Sequence, residues 1–343
     1  MITSFKGGSW PYYKVILACL LTGAFTLVIS KNFTKPSTSI QLTNAPACNP
    51  KMNLLRLKNH KLVQPLLFSD IDESDEKFSA LKKQLNTEIN TEKSNGKIQS
   101  VSLYLKELND GSWMGINSYE QYDPGSIMKL PILLAYLKKA ESQHAFFDKQ
   151  LLFAGRSNAM PTQSIVSNKI SPGKKYSITQ LIHSMIVYSD NDANLLLNQS
   201  IEPDYVFHVF GDLGMEVPKI DQPTLKMSII DLSKFLRVLY NSSYTTTALS
   251  EYALDLLTRT KFELGMKRGL PDNIVFAHKF GERGYQNSEI QELHETAIIY
   301  LENRPFLLTI MTKGIDQSKQ AELIGNLTKT CFNWMSQSNN VGS

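Results

Sequence analysis

Apolar and polar residues recur with different periods along the chain, and the changes of period divide it into elements. Phe78, Leu81, Leu85 and Ile89 repeat at three- and four-residue spacing, which predicts an amphipathic helix ended by Asn95-Gly96. Val101, Leu103 and Leu105 then alternate with polar neighbours. Asn109-Asp110-Gly111 is a turn signal, and Trp113 to Ile116 returns as a second strand. From Asp123 to Arg259 the pattern is mostly helical. Three strand-like runs follow, Asn273 to Lys279, Glu295 to Leu301 and Phe306 to Thr312, with Asn303-Arg304-Pro305 as the turn between the last two. An amphipathic helix from Gln317 to Trp334 closes the pattern.

Two strands, a helical insert, three strands and a helix predict an α/β (α+β) domain over residues 70–336. Its antiparallel five-stranded sheet is flanked by helices and completed by segments distant in sequence, with a mostly helical subdomain alongside. Residues 337–343 read as a tail. Ahead of the domain, residues 32–69 show no sustained period and carry Pro36, Pro46 and Pro50 among Ser, Thr and Asn, the composition of a linker.

Residues 1–31 are of another kind. Val15 to Ile29 is a nearly continuous apolar run preceded by Lys6 and Lys14. It is short of the ~20 residues a spanning helix needs but has the length of a signal-peptide core. Export follows from either reading, an uncleaved membrane anchor or a cleaved signal, and places the domain in the cell envelope, in the periplasm or on the outer face of the cytoplasmic membrane. The membrane is thus an expected partner through the N-terminal segment.

Charge and cysteine content narrow the classes further. The net charge is +4, with lysines and arginines concentrated between Lys31 and Lys61, and no basic stripe interleaved with aromatics occurs later, which argues against nucleic acid as a partner. The three cysteines, Cys19, Cys48 and Cys331, form no metal-ligand spacing, so neither a metal nor another cofactor is expected. Cys48 and Cys331 are the only pair available for a disulfide after export, and spacing alone does not say whether they meet.

Three short motifs carry chemistry. Ser126-Ile127-Met128-Lys129 follows Asp123-Pro124-Gly125 and opens the apolar segment Leu130 to Leu137. Ser189-Asp190-Asn191 follows the helical segment Ile178 to Tyr188, and Lys279-Phe280-Gly281 ends the first late strand. On a helix, residues three apart share a face, so the Lys129 amine can reach the Ser126 hydroxyl. A serine is a weak nucleophile until a base takes its proton, and a lysine becomes that base when burial or a second cation such as Lys279 lowers its pKa. The same tetrad spacing at Ser79, Ser94 and Ser171 lacks both the Pro-Gly lead-in and the buried helix. Ordinary structural roles for these motifs are a helix N-terminus with a solvated lysine, a helix-ending turn and a sheet-edge lysine. The segment Leu130 to Leu134 speaks against the first, because a helix apolar all round is buried. His278 and His294 flank strands and read as structural.

In order, spacing and local structure these motifs resemble the SxxK, SDN and KTG motifs of class A β-lactamases and penicillin-binding proteins, over roughly Asp70 to Trp334. The resemblance implies a β-lactamase/transpeptidase-like fold and a serine acyl-enzyme mechanism. In it Ser126 is the nucleophile, Lys129 the base, Ser189 a proton shuttle and Asp190 a brace for its loop. Asn191, Lys279, Phe280 and Gly281 bind substrate, and the backbone N–H groups of Ser126 and Glu282 form the oxyanion hole.

Two departures bear on what that implies. Phe280 stands where the family has a hydroxyl that bonds the substrate carboxylate. The phenyl ring is therefore expected to narrow or close that subsite, with Glu282 adding a repelling charge and Arg283 as the compensating cation. The family's Glu-bearing ExxLN segment is also missing, since Asp221-Gln222-Pro223-Thr224-Leu225 leads almost directly into the helix around Ile229 to Tyr240. Glu202, Glu216 and Asp221 are the nearby carboxylates, and none has the motif's context. The expected activity is an envelope serine hydrolase that acylates on β-lactams or peptidoglycan stem peptides and deacylates slowly. The alternatives are an efficient β-lactamase, a non-catalytic envelope-binding module, and an esterase on a neutral substrate.

Overall fold

The central sheet is assembled from both ends of the domain. A hairpin of β3 (Ile98–Glu107) and β4 (Trp113–Ile116) supplies one edge, and a meander of β7 (Phe276–Gly284), β8 (Gln291–Ile299) and β9 (Phe306–Gly314) supplies the other. The order is β4-β3-β9-β8-β7 and every pairing is antiparallel. The computed structural model describes residues 52–57, 65–71, 76–143, 145–155, 169–219 and 225–337.

Period-two alternation gives the sheet two apolar faces. On β9, Leu308 and Ile310 point to one side, where they join Leu81, Leu85 and Ile89 of α1 (Ser79–Ser94) and Leu323, Ile324 and Leu327 of α8 (Gln317–Gln337). Leu307 and Met311 point to the other, into a larger core formed with the helical subdomain. That subdomain contains α2 (Lys129–Ala140), α3 (Ile178–Val187), α4 (Asn191–Ser200), α5 (Pro203–Asp212), α6 (Ile229–Tyr240) and α7 (Thr247–Thr258). Each fully buried Leu or Ile adds roughly 1.5–3 kcal/mol, so the two clusters together fix where the sheet meets the helices. A short ribbon of β5 (Gln150–Phe153) and β6 (Lys174–Ser177) also pairs antiparallel, and the sequence pattern did not indicate it.

The linker expected over residues 32–69 gives way to structure at its C-terminal end. β1 (Met52–Arg56) and β2 (Leu66–Ile71) form an antiparallel pair, and Leu67 and Phe68 are buried in the larger core. Asp70 anchors the pair: it accepts from Arg237 Nη1 at 2.9 Å and Nη2 at 2.6 Å, and from Lys106 Nζ at 3.2 Å. The Arg237 guanidinium lies 3.9 Å from the centroid of the Phe68 ring. Strands this short, with Leu54 and Leu66 exposed, show no alternation that a window could detect.

The late strands are also displaced from their expected limits. β7 continues through Glu282, Arg283 and Gly284, and β8 begins at Gln291, because a regular ladder from Phe276↔Ile299 to Gly284↔Gln291 pairs polar residues as readily as apolar ones. Cys331 is a free thiol, fully buried among α1, α8 and the sheet. The N-terminal leader and Cys48 lie outside the described residues, and no helix among the described residues is long and apolar enough to cross a membrane.

Candidate active site

Ser126 lies in a 3-10 turn, Gly125–Met128, that runs directly into α2. Residues i and i+3 eclipse in such a turn, closer than in the α-helix the spacing suggested. Lys129 Nζ accordingly lies 3.0 Å from Ser126 Oγ. Leu130, Leu133, Leu134 and Leu137 are wholly inaccessible, so α2 is buried on all sides and takes Lys129 with it, 2% exposed. Glycine is required on both sides of the contact between this turn and β7. Gly125 has φ +53°, and a Cβ there would meet the Glu282 carbonyl oxygen at 2.5 Å. A Cβ on Gly281 would meet the Pro124 carbonyl oxygen at 2.2 Å.

The second motif lies between two well-capped helices. Ser177 and Gln180 close a capping box at the start of α3. Asp190 caps α4 by accepting from the Asp192 N–H at 2.8 Å, and its other oxygen accepts from the Ile170 N–H at 2.9 Å. Between the helices Ser189 adopts φ +53°, a conformation that costs a non-glycine residue about 1–3 kcal/mol and persists where the surroundings enforce it. The result turns both Ser189 oxygens toward Lys129, the carbonyl at 2.5 Å and the hydroxyl at 3.0 Å.

Lys279 arrives from β7 and donates to the same hydroxyl at 3.0 Å and to the Phe280 carbonyl at 3.0 Å. Burial is the main cause that lowers the pKa of both lysines. It brings Lys129 down to about 7, opposed by the charges of Asp190 and Glu282. Lys279 is shifted well below its usual range by burial and then by the charge of Lys129. Among the described residues Lys129 has four oxygen neighbours, of which the Ser189 carbonyl and Asn191 Oδ1, at 2.8 Å, can only accept. In the neutral amine those two acceptors take both N–H groups, which leaves the lone pair for a hydroxyl proton. That is the geometry of a general base for Ser126.

The edge of β7 supplies the electrophilic side. The His278 carbonyl accepts from Thr260 Oγ1, and the Phe280 carbonyl accepts from Lys279, so even-numbered residues turn their backbone polar groups away from β8. By the same alternation the Glu282 N–H points out of the sheet, beside Gly125. Ser126, in the first turn, contributes an N–H without an intrahelical acceptor. Two such donors suit an oxyanion.

These groups open on a cavity of about 800 Å³ lined by Asp123, Ser126, Lys129, Ile132, Asn191 and Asn194 on one side and Glu282, Arg283, Tyr285 and Gln317 on the other. Asn191 Oδ1 is engaged by Lys129, so its amide NH2 is the group available to a ligand carbonyl. Arg283 pairs with Asp123 at 3.1 Å. Tyr285 and Asn194 were not singled out by the sequence; Asn194, one helical turn beyond Asn191, was the more legible of the two.

Phe280 does not close this cavity. Alternation sends Lys279 toward the helical subdomain and Phe280 to the opposite face, where it is 1% exposed and stacks on Phe262 at 4.1 Å. The Lys279 ammonium curls back to lie 4.3 Å from the Phe280 ring centroid. Glu202 pairs with Lys139 at the start of α5 and Glu216 is exposed; neither lines the cavity, and Asp221 lies outside the described residues. His278 and His294 have buried partners that the sequence could not name, Glu295 for the first and Asp123 for the second.

Comparison with known proteins agrees with this architecture. Residues 80–335 match the family described as "Beta-lactamase enzyme family". The chain is 21% identical to the β-lactamase VEB-1 of Pseudomonas aeruginosa over 263 residues, which is 68% of this chain and 85% of that protein. The TLA-3 extended-spectrum β-lactamase superposes with a TM-score of 0.63 at 18% identity, covering 74% of this chain and 100% of that one. A PBP-A mutant, in acyl-enzyme complex with penicillin G, gives a TM-score of 0.62 at 18% identity, covering 75% and 97%. The chain belongs to the β-lactamase enzyme family and has its serine-hydrolase fold.

Proposed function

We propose that the protein is an exported serine hydrolase of the cell envelope that forms an acyl-enzyme through Ser126 with β-lactams or peptidoglycan stem peptides and releases it slowly. The observation that carries the reading is the Ser126 Oγ–Lys129 Nζ contact of 3.0 Å inside a buried cluster that lowers the lysine pKa to about 7. Lys129 takes the Ser126 proton as Oγ attacks the carbonyl. The N–H groups of Ser126 and Glu282 hold the oxyanion, one such donor being typically worth about 3 kcal/mol. Ser189, bridging Lys129 and Lys279, returns a proton to the leaving group. Arg283, paired through Nε with Asp123, is a cation on the cavity wall that a substrate carboxylate can meet.

Slow release is supported by the carboxylates that reach the cavity among the described residues, Asp123 and Glu282. Asp123 is tied to Arg283 and accepts from the Gly125 N–H, and Glu282 accepts from Gln317. Neither stands ready to take a proton from a hydrolytic water. The test is intact-mass spectrometry after brief acylation with benzylpenicillin and removal of excess drug. An adduct on Ser126 that persists for minutes is expected. Its loss within seconds, with penicilloate released, points to an efficient β-lactamase, and no adduct at all overturns the acyl-enzyme reading.

A further inference from the structure

The turn that carries the nucleophile is fastened, through both backbone groups of one residue, to two side chains of β8. Asp123 lies three residues before Ser126. Its N–H donates to Glu292 Oε2 at 2.9 Å, and its carbonyl oxygen lies 2.9 Å from His294 Nε2. The tautomer follows from a third contact. The Thr312 N–H donates to His294 Nδ1 at 3.2 Å, so Nδ1 is an acceptor and the ring proton sits on Nε2, directed at the Asp123 carbonyl at 2.9 Å with Glu292 Oε2 as a longer second acceptor at 3.3 Å. The Tyr285 hydroxyl donates to Glu292 Oε1 at 2.9 Å and holds that carboxylate from the cavity side.

Asp123, Glu292 and His294 are 8%, 3% and 0% exposed, so water does not compete for these bonds. A plain hydrophobic residue at either β8 position would leave a buried backbone group of Asp123 unsatisfied. The distance to the chemistry is short: the Asp123 peptide is followed by Pro124, whose φ is fixed, and then by Gly125 and Ser126. Gly125 alone could absorb a shift, but the Glu282 backbone packed against it leaves it little room, so a shift of the Asp123 peptide is passed on to Oγ.

We propose that Glu292 and His294 are positioning residues for Ser126: they set the nucleophile's place relative to Lys129 and the Glu282 N–H without touching substrate. The kinetic consequence rests on the acyl-enzyme reading; the structural one does not.

Two substitutions of His294 separate positioning from mere filling of the core. His294→Gln can still extend an N–H to the Asp123 carbonyl, whereas His294→Asn keeps an acceptor for Thr312 but falls short of Asp123. Stopped-flow acylation by a chromogenic cephalosporin resolves the acylation rate constant from the binding constant. His294→Asn is expected to lower the rate constant about 10–100-fold, since an ångström of misplacement can cost ~10², with the binding constant changed less than about 3-fold. His294→Gln is expected to stay within a few-fold of wild type. Equal losses in both variants, or a loss confined to binding, would overturn the proposal. Glu292→Ala against Glu292→Gln is the parallel arm should His294→Asn not fold. Amide hydrogen exchange over residues 123–128 needs no substrate: faster exchange in His294→Asn and Glu292→Ala alone is expected, and unchanged exchange counts against positioning. If wild type takes no acyl group while exchange responds as expected, the functional reading has failed and the positioning has not.

Discussion

Lys129 and Lys279 meet at one hydroxyl: each nitrogen lies 3.0 Å from Ser189 Oγ, with the first reaching it from α2 and the second from β7. Two ammonium groups this close and this buried each disfavour the other's charge, and neither has a carboxylate in direct contact among its described hydrogen bonds. The cluster is therefore organised to lose a proton, and Ser189 is the path along which that proton can be passed.

The first prediction concerns pH. Lys129 titrates at about 7 in the folded protein, and only the deprotonated amine can accept the Ser126 proton. The acylation rate constant is expected to rise with pH along a limb centred about 7 and to level off above it, measured by stopped-flow from pH 5.5 to 9. Stability moves in the same direction. Because the unfolded lysine keeps its proton up to its ordinary pKa of 10.5, folding releases a proton between about 7 and 10.5, and stability rises with pH across that window. A pH-independent acylation rate would remove Lys129 as the base.

Replacing Phe280 by threonine restores the family's hydroxyl at that position but removes a ring buried against Phe262. The structure predicts a loss of stability of about 3 kcal/mol, the lower end for emptying a buried phenylalanine site, and no gain in acylation. Chemical denaturation and β-lactam acylation measured on the same sample check both halves. A stable, faster variant would mean that the threonine reaches the cavity after all.

Asp70→Ala leaves the Arg237 guanidinium, 2% exposed, without its carboxylate. Removing one partner of a buried ion pair costs about 3–5 kcal/mol, and the partial exposure of Asp70 puts the expected loss near the lower figure. Burial by itself would raise the Asp70 pKa, but the hydrogen bonds and charge of Arg237, helped by Lys106, turn the net shift downward. The carboxylate's contribution is therefore complete above the ordinary carboxylate range and lost as pH falls below it. Urea denaturation of wild type and variant at pH 7 and at pH 3 is the check: the gap between them should narrow in acid.

Gly281→Ala places a methyl group where the Pro124 carbonyl oxygen stands. Either β7 or the Ser126 turn has to retreat, and both donors of the oxyanion site depend on their contact. Acylation is expected to fall by ~10² or more, the order seen when one oxyanion donor is lost, with the fold preserved by circular dichroism. Near-normal acylation would show that the two N–H groups are not held by this approach.

Much of this was legible in the residues themselves. Trp113 to Ile116 and Ile229 to Tyr240 begin and end in the structure where their patterns do, the first following the Asn109-Asp110-Gly111 turn and the second starting at the Ser228 cap. Ser126, Lys129, Ser189, Asn191 and Lys279 do come together. The side of the sheet that Phe280 faces was not legible: alternation says that Lys279 and Phe280 point opposite ways, but only packing says which way is the cavity. The Glu292 and His294 contacts were out of reach for a different reason, since their partner Asp123 lies 169 and 171 residues away and none of the three belongs to a motif. The β1–β2 pair was lost because its strands depend on Asp70 and Arg237, 167 residues apart, rather than on their own pattern.

The strand order also sets a timetable. β9 is the middle strand of the sheet, flanked by β3 on one side and β8 on the other, yet among the described strands it comes last in sequence. Until residues 306–314 have been made, the β3–β4 hairpin and the β7–β8 pair have no common partner, and the sides of the cavity that carry Ser126 and Glu282 have no frame to align them. Contacts this distant in sequence form slowly, because the whole intervening loop must be closed first. A chain cut short before residue 306 would therefore hold every reactive group of the cavity and still lack the strand that aligns them.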